Sequence, residues 1–433
     1  MSHSANYEEH GMELREQSFS LPFIVLTSLF FMWGLVIGLN TALLENFKLV
    51  FSLSINQALI MQFAFFATYF VVAVPAGKLI DSLGYKNGIV IGLVTSGVGA
   101  LIFLPAADSQ SFNLLMVAIF VLASGITILQ VAANPYIVLF GDPNLADERL
   151  SLKQGFNALG SMIAPIILAF VLFSPVHARP ELLAEMTPDQ IKDAYASDVK
   201  LPYMVISILM FVLAALMFFS KLPMFNTKNF EPTVANKSGK PFKFVIEFSH
   251  LRMGAIAVFA YMGAEIALSV FLNSNISRLS GANELQALNY LAFYYGGMMV
   301  GRFAGAYILP SFDLHKAVAF CAAGAVVLTI VGAFTTGMVS MWSLLLVGLF
   351  NAILFPAIFT LGLSGLGKFS EEGSSVLIMG SVGGAVVPLL VSQVLASGSG
   401  SSMALLIPAA CYLFVVYFGL VGSRYTKVEQ VKN

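Results

Sequence analysis

Twelve stretches of about twenty apolar residues recur along this chain, and a run of that length matches the hydrocarbon thickness of a bilayer when wound as a helix. They fall at roughly 21–44, 57–80, 87–106, 112–140, 151–175 and 201–222, then 250–276, 286–310, 315–335, 340–366, 374–396 and 402–422. Hydrophobic residues make up 58% of the chain and charged ones only 10%, against about a half and a quarter in soluble domains. The expectation is an all-α membrane protein: twelve transmembrane helices in two pseudo-symmetric six-helix bundles.

Lysine and arginine placement sets the orientation. With the N-terminus inside, the inner segments hold 17 of the 22 basic residues, Lys153 and Arg302 among them, and the outer ones hold 5. Both termini are expected in the cytoplasm, in a cytoplasmic (inner) membrane. A net charge of −1 gives no nucleic-acid signal. Cys321 and Cys411 lie in apolar runs and read as buried thiols. The first apolar run is too long for a signal-peptide core, so it is expected to be retained as span one.

The segment from about 223 to 249 carries Lys228, Pro232, Lys237, Lys240, Pro241 and Lys243. It reads as a cytoplasmic linker between an N-terminal bundle (1–222) and a C-terminal one (250–433). The halves echo each other. Pro135 and Pro356 sit in spans four and ten, Pro165 and Pro388 in five and eleven, at offsets of 221 and 223. Such duplication is characteristic of secondary transporters, with substrate held between the halves near mid-membrane. In the outer loop between spans five and six, Thr187-Pro188-Asp189-Gln190 has the form of a capping box with proline in the first turn. A short amphipathic helix is expected there.

Polar groups at membrane depth are costly and mark functional candidates. Helical spacing aligns Gln154, Asn157 and Ser161 on span five, and Gln130 and Asn134 on span four. Trp33, Asn40 and Thr41 lie on span one, and Tyr261, Glu265, Ser269 and Asn273 on span seven. Spans eight and ten add Asn289, Tyr290, Tyr294 and Asn351. Amides both donate and accept, and aromatic rings stack on an apolar sugar face, so this set suits a neutral polyol. The competing reading of any one amide is a bond between helices. Glu265 is the one carboxylate placed well within a span and reads as an ion or proton site. Glu45 sits near the outer mouth of span one. No nucleophile–base pair, metal-ligand cluster or phosphate loop is apparent, so the chain is not expected to be an enzyme and no cofactor is expected.

The run Gly77-Lys78-Leu79-Ile80-Asp81-Ser82-Leu83-Gly84-Tyr85-Lys86 resembles the signature that the major facilitator superfamily carries between spans two and three. Ser28 to Trp33, Leu39-Asn40, Ala132-Ala133-Asn134-Pro135, Arg149-Leu150, Gln154-Gly155-Phe156-Asn157, Pro202-Tyr203-Met204 and Gly301 to Gly305 resemble its fucose–galactose–glucose cation symporter branch. The resemblance implies two bundles rocking about a central site, a monomer, and an inner gate involving Asp81, Lys86 and Arg149. One departure is informative. Proton-coupled members of fucose type carry carboxylates where this chain has Thr41 and Gln130, while Glu265 occupies the second-half counterpart of Asn40. Sodium is therefore expected as the coupling ion, bound by Glu265 with Asn40, Thr41 or Gln130, with a proton on Glu265 kept open. Trp33, Asn40, Gln130, Asn134, Gln154 and Asn157, helped by Asn273, Asn289, Tyr290 and Asn351, are expected to hold the sugar. An uncoupled facilitator and a transporter-like sugar sensor are the alternatives.

Overall fold

The computed structural model describes residues 21–43, 47, 50–53, 55–139, 145–171, 186–220, 232–234, 243–281 and 284–425. The first half contains α1 (Leu21–Ala42), α2 (Ile55–Leu83), α3 (Tyr85–Ser109), α4 (Phe112–Leu139), α5 (Ala146–Val171) and α6 (Pro188–Phe219). The second contains α7 (Ser249–Ser280), α8 (Glu284–Ile308), α9 (Leu314–Phe334), α10 (Gly337–Asn351, then Leu354–Leu363), α11 (Ser370–Met379, then Gly383–Ala396) and α12 (Gly400–Tyr417). All twelve apolar runs are thus helices, and the backbone satisfies itself as a span in lipid must.

By length and composition, nine helices among the described residues are long and apolar enough to cross a membrane, and Ile24–Asn40 of α1 is a shorter apolar helix. The remaining two, α5 and α8, carry Lys153, Gln154 and Asn157, and Arg302, respectively. They pack against each other across the seam between the halves. Two helices with buried polar side chains, Lys153, Gln154 and Asn157 on one and Arg302 on the other, therefore meet across the seam.

The internal repeat appears as paired close approaches. A side chain on Gly160 of α5 would meet the Phe31 carbonyl of α1 at 2.2 Å, and one on Gly383 of α11 would meet the Phe259 carbonyl of α7 at 1.9 Å. Gly160 and Gly383 are 223 residues apart, the spacing of Pro165 and Pro388. In each half, then, the first and fifth helices touch backbone to backbone, which only a glycine permits.

Several boundaries differ from the expected ones. The signature is not a loop: Gly77 to Leu83 form the last turns of α2, and Gly84, at φ 82, makes the whole connection to α3. The Thr187 cap forms as expected, with its hydroxyl accepting from the Gln190 amide and Gln190 returning the bond. It does not open a separate short helix, however, but a 32-residue α6 that continues into the span. An ion pair between Lys200 and Asp108 ties this outer part of α6 to the end of α3. α10 is interrupted at Ala352–Ile353, four residues before Pro356 removes an amide donor. Most of the linker lies outside the described residues. Its described strip 232–234 packs on the second half, where the Thr233 amide donates to the Gly365 carbonyl at 3.1 Å and Val234 is buried. Gly365 has φ 72, and a side chain there would strike Val234 and Thr233.

Candidate functional site

Glu265 lies 16 residues into α7, about mid-way through the bundle. It is partly exposed. Its neighbours are phenols. The Tyr261 hydroxyl lies against the carboxylate without a well-oriented partner. Tyr294 donates to the Glu265 backbone carbonyl at 3.4 Å and accepts from Asn351 Nδ2 at 3.0 Å. Tyr295 meets the Ser269 hydroxyl. Arg302 of α8 is the cation within electrostatic reach of the carboxylate.

In the first half, Trp33 lies 12 residues into α1, as Tyr261 does into α7. Its ring is buried against Phe30 and its indole N–H has no acceptor. Gln154 Nε2 reaches Asn134 Oδ1 at a long 3.5 Å, leaving Asn134 Nδ2 without a partner. Asn157 donates to the Phe30 carbonyl at 3.2 Å and Ser161 to the Gly34 carbonyl at 2.9 Å. Lys153 is buried and bonds to Thr27 of α1.

The halves meet below this level, toward the end of the bundle that carries Gly84 and the start of α5. Proline chemistry organises the seam. Pro135 has no N–H, so the Val131 carbonyl four residues back loses its helical donor, and Ser374 of α11 supplies one at 3.0 Å. Pro356 likewise frees the Ala352 carbonyl, which accepts from Arg302 Nε at 3.4 Å. Arg302 Nη1 crosses to the Gln154 carbonyl at 3.1 Å, and Ser151 returns a bond to the Arg302 carbonyl at 3.1 Å. Phe156 and Phe303 pack edge to face at 5.5 Å beside them. Gly77 of α2 sits against Ser375 and Glu371 of α11, with no room for a side chain.

The family profile described as Major Facilitator Superfamily matches residues 23–388. A glucose/galactose transporter of Brucella abortus is 40% identical over 418 residues, covering 96% of this chain and 97% of that one. An L-fucose-proton symporter of Escherichia coli is 32% identical over 415 residues, 95% of each. The crystal structure of the transporter FucP in the outward conformation overlays with a TM-score of 0.81 at 31% identity, covering 94% of this chain and all of that one. The chain belongs to the Major Facilitator Superfamily. It is accordingly a multi-pass membrane transporter and not an enzyme.

Within this facilitator fold, the residues expected at the site divide. Trp33, Asn134, Gln154 and Asn157 gather on α1, α4 and α5, and Glu265 and Asn351 on α7 and α10, joined through Tyr294. Gln130 is engaged between helices, donating to Tyr69 of α2 at 2.9 Å. Asn40 accepts from Tyr203 of α6 at 3.1 Å. Asn273 is exposed eight residues beyond Glu265, and Tyr290 stands edge-on to Trp342 at 5.9 Å. The side chains of Thr41 and Asn289 lie outside the described residues, as does Glu45. Of the expected gate residues, Asp81 is exposed, Lys86 caps the end of α6 through the Ser220 carbonyl at 2.7 Å, and Arg149 caps α4 through the Ile137 and Val138 carbonyls. Hydrogen bonds across the seam are made by Ser151, Arg302 and Ser374. Lys153 and Arg302, counted with the inner segments in the sequence, are buried in the bundle. Glu371, outside the expected span eleven, is buried in the first turn of α11 beside Tyr85. The shallow apolar depression on the surface between α7 and α12, lined by Phe259, Leu406, Ile407 and Phe414, offers none of this chemistry.

Proposed function

We propose that this chain imports a neutral hexose of the glucose, galactose or fucose type by cation symport with alternating access, from a cytoplasmic membrane in which both termini face inward. The names of the relatives support the sugar class. The observation that carries the coupling is Glu265: a half-accessible carboxylate at mid-depth, ringed by Tyr261, Tyr294 and Tyr295. A lone carboxylate in such a place is a carrier of a single positive charge. Sodium, expected from the sequence, finds no support. Phenolic hydroxyls around Glu265 are donors as much as ligands, and the Escherichia coli relative is named for coupling to protons. The proton is therefore the proposed ion. Trp33, Asn134, Gln154 and Asn157 would hold the sugar from one half, and Asn351, with Tyr290 above it, from the other.

Uptake of radiolabelled hexose into oriented vesicles tests this. An acid-outside gradient should drive accumulation, and replacing sodium with potassium should change nothing. Glu265→Gln should abolish accumulation while sparing sugar counterflow. Normal accumulation by that variant would sink the coupling role, and uptake driven by sodium alone would replace the proton. The amide at Gln130 and the hydroxyl at Thr41 favour one further reading, an uncoupled facilitator. In that case neither gradient concentrates sugar.

A further inference from the structure

We infer that Arg302 is the clasp that holds the two halves together beneath the site, and that the charge on Glu265 and the occupancy of Gln154 jointly decide whether it holds. The inference rests on the proposed symport and deepens it by naming the residue on which the two binding events converge.

Arg302 is buried, 6% exposed, and a guanidinium keeps its proton at any working pH. Its hydrogen bonds run to backbone carbonyls, Gln154 across the seam and Ala352 in its own half. No carboxylate among the described residues pairs with it at contact distance. A buried cation with no ion-pair partner is costly unless an opposite charge stands nearby, and Glu265 is the carboxylate within its field.

The two acceptors have separate origins. The Ala352 carbonyl is free because Pro356, four residues on, has no N–H to offer it. The break in α10 therefore presents a carbonyl at mid-depth where an intact helix would hide one. The Gln154 carbonyl belongs to the residue whose side chain reaches into the proposed sugar site, so any shift of α5 that accompanies sugar binding moves the clasp.

The consequence has a sign. With Glu265 charged, the buried guanidinium is compensated and the seam stays closed. Neutralising Glu265 leaves Arg302 uncompensated in place, which favours its release. A displaced Gln154 then removes the bond across the seam. A cation alone or a sugar alone withdraws one support, and both together withdraw two, which is the logic symport requires.

Spin labels on Ser82 and Lys368, exposed on opposite halves near the seam, read its opening as a distance, with Cys321 and Cys411 replaced by alanine. Wild type without sugar should give a short, narrow distribution. Arg302→Met should shift the closed-to-open ratio about tenfold, equivalent to about 1.4 kcal/mol. Arg302→Lys, which keeps the charge but loses the fork, should fall between. Pro356→Ala restores a donor for Ala352 and should open the seam in the same direction without touching the arginine. Glu265→Gln should open it too, and adding Arg302→Met to that variant should open it little further. An unmoved distance in Arg302→Met and Pro356→Ala, or fully additive shifts from Arg302→Met and Glu265→Gln, overturns the inference. Failure of the transport reading has a different signature, a wild-type distance that never responds to hexose under an acid-outside gradient.

Discussion

Trp33 and Asn134 each bury a nitrogen-bound hydrogen that no atom among the described residues accepts. An unmatched buried donor costs about 1–3 kcal/mol. A fold that keeps such groups at the proposed site keeps them for a partner that arrives and leaves. Trp33→Phe preserves the packing against Phe30 and removes only the donor. Counterflow measured against sugar concentration should show KM raised about tenfold, with surface expression unchanged. An unaltered KM would remove the indole from the sugar's contacts. Gln130 and Asn40 are a contrast: as amides they look equivalent to Asn134 in the sequence, but the structure engages them with Tyr69 and Tyr203. Sequence spacing assigns a residue to a face of its own helix. It does not say which neighbour that face meets, and this is why Glu265 is legible, as a carboxylate far from either end of its span, while the fate of each amide is not.

At the scale of elements, the apolar runs set the number and rough position of the helices, and the local chemistry of their ends decides the rest. The capping box at Thr187 is readable residue by residue. The length of α6 is not, because a polar surface turn and an apolar span join without any breaker between them; Pro202 inside the helix is absorbed. Thr187→Ala should cost about 1 kcal/mol locally and be seen as faster amide exchange over 188–199, with exchange in the rest of α6 unaffected. Equal exchange in both proteins would show that the Lys200–Asp108 pair, and not the cap, anchors this turn. The prolines are visible as a repeat, but their effect lies four residues upstream, on Val131 and Ala352, and needs the partners Ser374 and Arg302 to be known. Arg302 itself is hidden by its position. Six residues from the end of α8, it falls inside the expected eighth span but is counted with the inner-segment cations.

For the whole molecule, the described contacts between halves run along α5 with α8 and α10 and along α11 with α2 and α4, and the hydrogen bonds among them lie toward the Gly84 end. A thiol reagent that cannot cross the membrane should therefore label Asn273→Cys from the face opposite the termini. Ser374→Cys, fully buried at the seam, should stay protected until hexose and an acid-outside gradient are supplied together. Labelling of Ser374→Cys without them would mean that the resting carrier opens the other way. The pinning of Thr233 onto Gly365 bears on how far such motion can go. Between Phe219 and Thr233 only 13 residues remain, a leash of at most about 45–50 Å when drawn taut. A swing that parts its anchors beyond that reach must first peel the strip from its glycine.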